Sequence, residues 1–107
     1  MSLTRSQVEG IAHLARHDAL TDLPNRAAFN ACLAETLERC RVGGTRFTLL
    51  SVNVDRFKDV NDRLGHAAGD EVLRVLAEVL MANVRSSDFV ARLAGDQFAV
   101  LFAHTGS

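Results

Sequence analysis

The tetrapeptide Ala94-Gly95-Asp96-Gln97, set between two short apolar runs, constrains this chain more than any other feature. Phe89 to Leu93 and Phe98 to Phe102 are rich in β-branched and aromatic residues, and the polar, glycine-containing stretch between them has the composition of a hairpin turn. A third apolar run, Phe47 to Val54, has the length and β-branching of a buried strand.

The rest of the pattern is helical. Met1 to Leu3 reads as a start remnant, and Ser6 to Arg16 carries Val8, Ile11 and Leu14 at helical spacing. That first helix is either a lead-in from another domain (a linker or coiled dimer stalk) or a cap on the chain's own core. Pro24, the only proline, marks the loop Asp22-Leu23-Pro24-Asn25-Arg26, and Asn25 is placed to cap the helix after it. The second helix repeats Phe29, Cys32, Leu33, Thr36, Leu37 and Cys40 along one stripe and stops at Gly43-Gly44. Asp55 to Leu64 passes from a loop into a short helix ended by Gly65. Gly69-Asp70 restarts the chain with Asp70 as N-cap, and the following helix is expected to bury Val72, Leu73, Val75, Leu76, Val79 and Leu80. The expected order is helix, helix, strand, helix, helix, strand, strand.

At 107 residues the chain suffices for one domain with a modest core. Its formal charge of -1 excludes the strong basic excess of a general nucleic-acid binder. No apolar run approaches the ~20 residues of a membrane span, and no signal peptide precedes the first helix. Cys32 and Cys40 fall in one helix as reduced thiols, which fits a cytoplasmic location. The four histidines have no metal-like spacing, and His17 and His66 read as structural.

Four blocks carry a resemblance: His17-Asp18-Ala19-Leu20-Thr21-Asp22-Leu23-Pro24-Asn25-Arg26, Phe57-Lys58-Asp59-Val60-Asn61-Asp62 with Gly65-His66 and Gly69-Asp70, Arg85-Ser86-Ser87-Asp88, and Ala91 to Phe98. In this order and at these intervals they resemble the GGDEF domain of the diguanylate cyclase family, from about His17 to Phe102. The resemblance divides the chain into a lead-in, residues 1–16, and a partial GGDEF domain, residues 17–107. It implies an α/β (α+β) palm-like, nucleotide-cyclase-like fold, with a central antiparallel sheet flanked by helices. The C-terminal part of the family's domain has no counterpart here. It also implies a homodimer in which each subunit holds one GTP, the two being joined into cyclic di-GMP.

Joining two GTP molecules needs cations that absorb charge at the transferring phosphoryl group, and magnesium prefers carboxylate oxygens. By resemblance, the metal positions are Asn53, the Val54 carbonyl and Asp96, with Gln97 beside Asp96 in the catalytic signature. Asn53 and Gln97 are amides where the family has acids, and Ala94 stands where it has glycine. An amide oxygen brings no charge, so magnesium binding is expected to be weak or absent and cyclization impaired. The resemblance implies that Asn61 and Asp70 read guanine, with Phe57, Lys58 and Gly95 also at the substrate site. On their own, Asp70 would be a helix cap, and Asn61 and Lys58 solvated side chains. Arg85 and Asp88 match the family's R-x-x-D product or inhibitory site. Their alternative reading is a polar turn after a helix C-terminus, where Arg85 suits the dipole.

The resulting expectation is a degenerate GGDEF domain that binds GTP or cyclic di-GMP and regulates a neighbour, either a sensor or an EAL phosphodiesterase domain. An active magnesium-dependent diguanylate cyclase and a purely structural dimerization module are the alternatives.

Overall fold

The structure, a computed structural model, describes residues 4–104. Met1 to Leu3 therefore lies outside the described residues. The elements follow in the expected order: α1 (Arg5–Arg16), α2 (Arg26–Gly43), β1 (Arg46–Asn53), α3 (Phe57–Leu64), α4 (His66–Ala82), β2 (Phe89–Ala94) and β3 (Gln97–His104). The fold mixes helices with a three-stranded antiparallel sheet in the order β1-β3-β2.

Local signals account for the helix ends. Thr4 caps α1 in a capping box with Gln7, each side chain accepting the other's backbone N–H. Asn25 accepts from the Ala28 N–H at the start of α2, as its position predicts. Gly44, in the left-handed conformation, donates to the Cys40 carbonyl and stops that helix. Cys32 and Cys40 are both free thiols.

The alternation of β3 divides the core between two helices. Phe98 and Val100 face one side, where they pack with Val90, Leu73 and Ala77, the last two from α4. Ala99 faces the other side, where it meets Ala91 of β2 and Phe29 of α2, with Leu33, Phe89 and Leu93 around them. Helix α2 thus covers one face and α4 the other, as period-two strands require.

Three expectations fail here. β1 is an edge strand, and Leu49 and Leu50 are 48% and 44% exposed, because only β3 pairs with it. Helix α4 begins at His66, after Gly65, so Asp70 sits in its first turns and does not cap it. Of the apolar residues expected inside α4, Leu73 is buried, and Leu76 and Leu80 are partly buried. Val72, Val75 and Val79 remain exposed. Those valines line an apolar groove of about 660 Å³ with Val52 and Val54 of the β1 end. The sheet is too narrow to cover both flanks of α4. On α2, Leu37 is likewise half exposed, while Phe29 is buried. Val8 of α1 is exposed, and the side chains of Ile11 and Leu14 lie outside the described residues.

Phe98 is fully buried at the centre of this arrangement. Phe98→Ala is expected to lower stability by about 3–5 kcal/mol in urea unfolding, through lost transfer energy and the cavity left behind. Leu49→Ala, on the exposed edge, should cost less than about 1 kcal/mol in the same experiment.

Candidate functional site

The β1–β3 register sets the geometry of the predicted catalytic residues. Asn53, the last residue of β1, is the direct partner of Gln97, the first residue of β3. The Val54 N–H donates to the Asp96 carbonyl at 3.1 Å. Asn53, Val54, Asp96 and Gln97 therefore meet at one end of the sheet, as the resemblance requires. Gly95, with φ +42°, forms the turn between β2 and β3. Ala94 is exposed and has no positive φ, so its backbone does not demand glycine. The register shifts between Arg92 and Ala94, leaving Leu93 as a bulge that turns the hairpin tip.

All four donors at this corner are oxygens, a hard set that suits magnesium in kind. Only Asp96 is charged. Among the described residues no three His, Cys, Asp or Glu side chains converge as metal ligands. One carboxylate with three neutral oxygens does not fit a site that must hold two divalent cations against a triphosphate.

The expected base-reading pair lies on α3 and α4. Asn61, half-buried on α3, lies against the buried Gly69 of α4, and half-buried Asp70 follows directly. Phe57 packs its ring against the core, so any part it takes in a ligand site falls to its backbone at the start of α3. Lys58 is exposed one residue further on. Arg56, immediately before α3, holds a left-handed conformation at φ +57°. His66 is exposed at the start of α4.

Arg85 and Asp88 form a closed turn. The Asp88 carboxylate accepts from the Arg85 N–H at 2.9 Å and from the Ala103 N–H at 3.2 Å. Its side chain is only 2% exposed. Arg85 is 62% exposed, donates one Nη2 hydrogen bond to the Ala103 carbonyl and lies 3.5 Å from Asp88. The pair thus has the polar-turn geometry weighed from the sequence, with much of the guanidinium facing solvent. The Arg85 N–H is the strongest influence on Asp88; burial opposes it, and the Ala103 N–H and the Arg85 guanidinium add to it. The net effect holds the carboxyl below its usual range.

A second ionic junction, which no motif announces, lies at the hairpin tip. The Arg92 Nη1 donates to both oxygens of Asp18 at 3.0 Å, its Nε donates to the Gly95 carbonyl at 2.9 Å, and its N–H donates to the Pro24 carbonyl. One side chain therefore ties the signature turn to the loop that follows α1. Asn25 continues the connection, donating from its N–H to the Arg16 carbonyl and from its side chain to the Ala15 carbonyl. At the other side of the loop, His13 lies 2.6 Å from Asp22 and stacks on His17 with ring centroids 3.8 Å apart. The signal available in the sequence was an acid in the first block and a base before the turn, separated by 74 positions. Burial raises the Asp18 carboxyl, but the Thr21 N–H, the Thr21 hydroxyl and Arg92 together outweigh it and bring it below the ordinary value.

Both depressed carboxyls give stability that is fully present above their unfolded pKa of about 4 and is lost as pH falls through their folded values. Urea unfolding at pH 7 and pH 3 should show reduced stability in acid. Asp18→Asn should be less stable than the wild type at pH 7 and lose less between the two pH values.

Comparisons with known proteins bear on the family and the fold. The family model described as "Diguanylate cyclase, GGDEF domain" matches residues 15–107. The chain is 50% identical over 97 residues to the diguanylate cyclase TpbB of Pseudomonas aeruginosa, covering 91% of this chain and 22% of that protein. It is 44% identical over 91 residues to the cyclic di-GMP phosphodiesterase NbdA of the same organism, covering 85% of this chain and 12% of NbdA. Among solved structures, the coiled coil and GGDEF domain of DgcB from Caulobacter crescentus, in complex with c-di-GMP, superposes with a TM-score of 0.89 at 35% identity. That match covers 96% of this chain and 54% of DgcB's resolved chain. The chain thus spans about a fifth or less of these two curated relatives.

Proposed function

Because the chain belongs to the GGDEF, diguanylate cyclase family, we propose that it is a guanine-nucleotide-binding module of cyclic di-GMP signalling whose condensing chemistry is impaired. The observation that carries this reading is the pairing of Asn53 with Gln97, which leaves Asp96 as the only carboxylate among the four residues of the proposed catalytic corner. Phosphoryl transfer is almost entirely a matter of positioning and charge stabilization. Replacing two acids by amides removes up to two negative charges from the groups that would hold the family's magnesium, while leaving the shape of the corner intact.

Base recognition does not need that charge. The Asn61 amide offers both a donor and an acceptor to a purine edge, and the Asp70 carboxylate accepts from guanine N–H groups. Lys58, exposed in the first turn of α3, is the side chain proposed to meet phosphate. Cyclic di-GMP is the ligand proposed for Arg85 and Asp88. The exposed Arg85 guanidinium presents the planar donor set for phosphate or a guanine edge. Asp88 reaches such a ligand only by exchanging its present backbone donors for it. A regulatory role beside a phosphodiesterase domain draws support from the likeness to NbdA, and a place downstream of a sensor in a homodimer is the other form of the same proposal. No described helix is long and apolar enough to cross a membrane.

An active cyclase is the second reading, favoured by the 50% identity to TpbB and by the retained Asp96. GTP turnover to cyclic di-GMP with Mg²⁺ or Mn²⁺, measured by chromatography on the full protein, separates the two. The expected result is little or no product from the natural sequence and turnover from an Asn53→Asp/Gln97→Glu/Ala94→Gly variant at least about 100-fold higher. Comparable rates from both would establish the active reading and remove the impaired one.

A further inference from the structure

Resting on the guanine reading above, we propose that Gly69 is a positioning residue for base recognition, because its missing side chain seats the Asn61 amide beside Asp70. Gly69 is buried within α4, where glycine is a poor helix former. A Cβ built at this position would lie 1.8 Å from Asn61 Oδ1, 2.9 Å from Asn61 Cγ and 3.3 Å from Phe57 Cζ. The other helical glycines among the described residues, Gly10 and Gly43, have nothing within 4 Å of such a Cβ. Gly69 is therefore the place where α3 and α4 approach through a bare backbone, and the group occupying the space is the amide expected to read the base.

The identity of the nearest atoms decides what a methyl group would do. Asn61 Oδ1 and Cγ are the far end of a flexible side chain, so a methyl at 69 displaces the amide by rotation and leaves the two helix backbones in place. Phe57 needs to yield only a few tenths of an ångström. The substitution should thus spare the fold, with alanine the better helix former, while removing Asn61 from alignment with Asp70. Contacts made elsewhere to a triphosphate, including any made by Lys58, are untouched. The loss should appear in discrimination between bases rather than in general nucleotide affinity.

The test is calorimetric titration of the natural protein, Gly69→Ala, Asn61→Ala and the double variant with GTP and with ATP, with thermal melts of each. The natural protein is expected to prefer GTP. Gly69→Ala should lose about tenfold of that preference, the scale of one base hydrogen bond left unmade, with little change in melting temperature. Asn61→Ala should lose a similar factor, and the double variant no more than either single one, since both remove the same contact. A Gly69→Ala protein that keeps the full preference overturns the inference and leaves the guanine reading standing. Equal binding of GTP and ATP by the natural protein removes the guanine reading and the inference with it. Should Gly69→Ala melt much lower, Asn61→Ala in the same chain is expected to restore the melting temperature without restoring the preference. Failure to restore it would place the clash on Phe57 or the backbone and overturn the proposal.

Discussion

Strand β3 hydrogen-bonds to β1 on one side and β2 on the other, and its register sets which helix each of its core side chains meets. Successive residues alternate faces, so Phe98 and Val100 are committed to α4 while Ala99 is committed to α2. A slip of one residue would turn Phe98 toward α2 and Ala99 toward α4, exchanging a ring and a methyl between two filled spaces. That penalty locks Gln97 opposite Asn53. The corner proposed as catalytic is in this sense a by-product of core packing. Its positions are held even where the side chains no longer supply the charge.

The second organizing contact is Arg92, which fastens the hairpin tip to the loop that leads out of α1. Its guanidinium bonds Asp18 and the Gly95 carbonyl at once, and both ionic partners are largely shielded from solvent. Breaking either partner would leave a poorly solvated charge, so the tip and the loop are energetically coupled. Asn25 extends the coupling into the last turn of α1 through the Ala15 and Arg16 carbonyls. A displacement of α1 thus has a continuous, hydrogen-bonded route to the turn containing Gly95. This is the physical form in which a lead-in helix would bear on the site in the proposed regulatory role.

Charge and shape separate cleanly across the domain. The corner at Asn53, Asp96 and Gln97 keeps oxygen donors but a single carboxylate. The α3–α4 junction sets Asn61 against Gly69, with Asp70 the next residue, and in the proposed reading hydrogen bonding alone distinguishes bases there. The proposed loss of condensation with retained recognition rests on that division, since metal binding scales with ligand charge and base reading with donor and acceptor placement.

Signals carried by a few adjacent residues were legible in the amino-acid sequence. The order of seven elements, the Asn25 cap, the stop at Gly43-Gly44 and the hairpin about Gly95 each depend on local backbone preference or short-range hydrogen bonds. The motif spacing also singled out four residues that the β1–β3 register brings to one end of the sheet. Only the tertiary structure decided what each apolar run faces. Leu50 and Val75 look as buried as Val100 and Leu73 by composition, yet the first two are exposed, because a strand with one neighbour and a helix on a narrow sheet each leave a flank uncovered. Gly65 and Gly69 both read as breaks, but only Gly65 is one. Gly69 lies inside a helix because another helix's side chain needs its space, a requirement that exists only after α3 and α4 have met. The Asp18–Arg92 pair is of the same kind. Local preferences act within a few residues, whereas burial and ion pairing depend on which distant segments the packed core brings together.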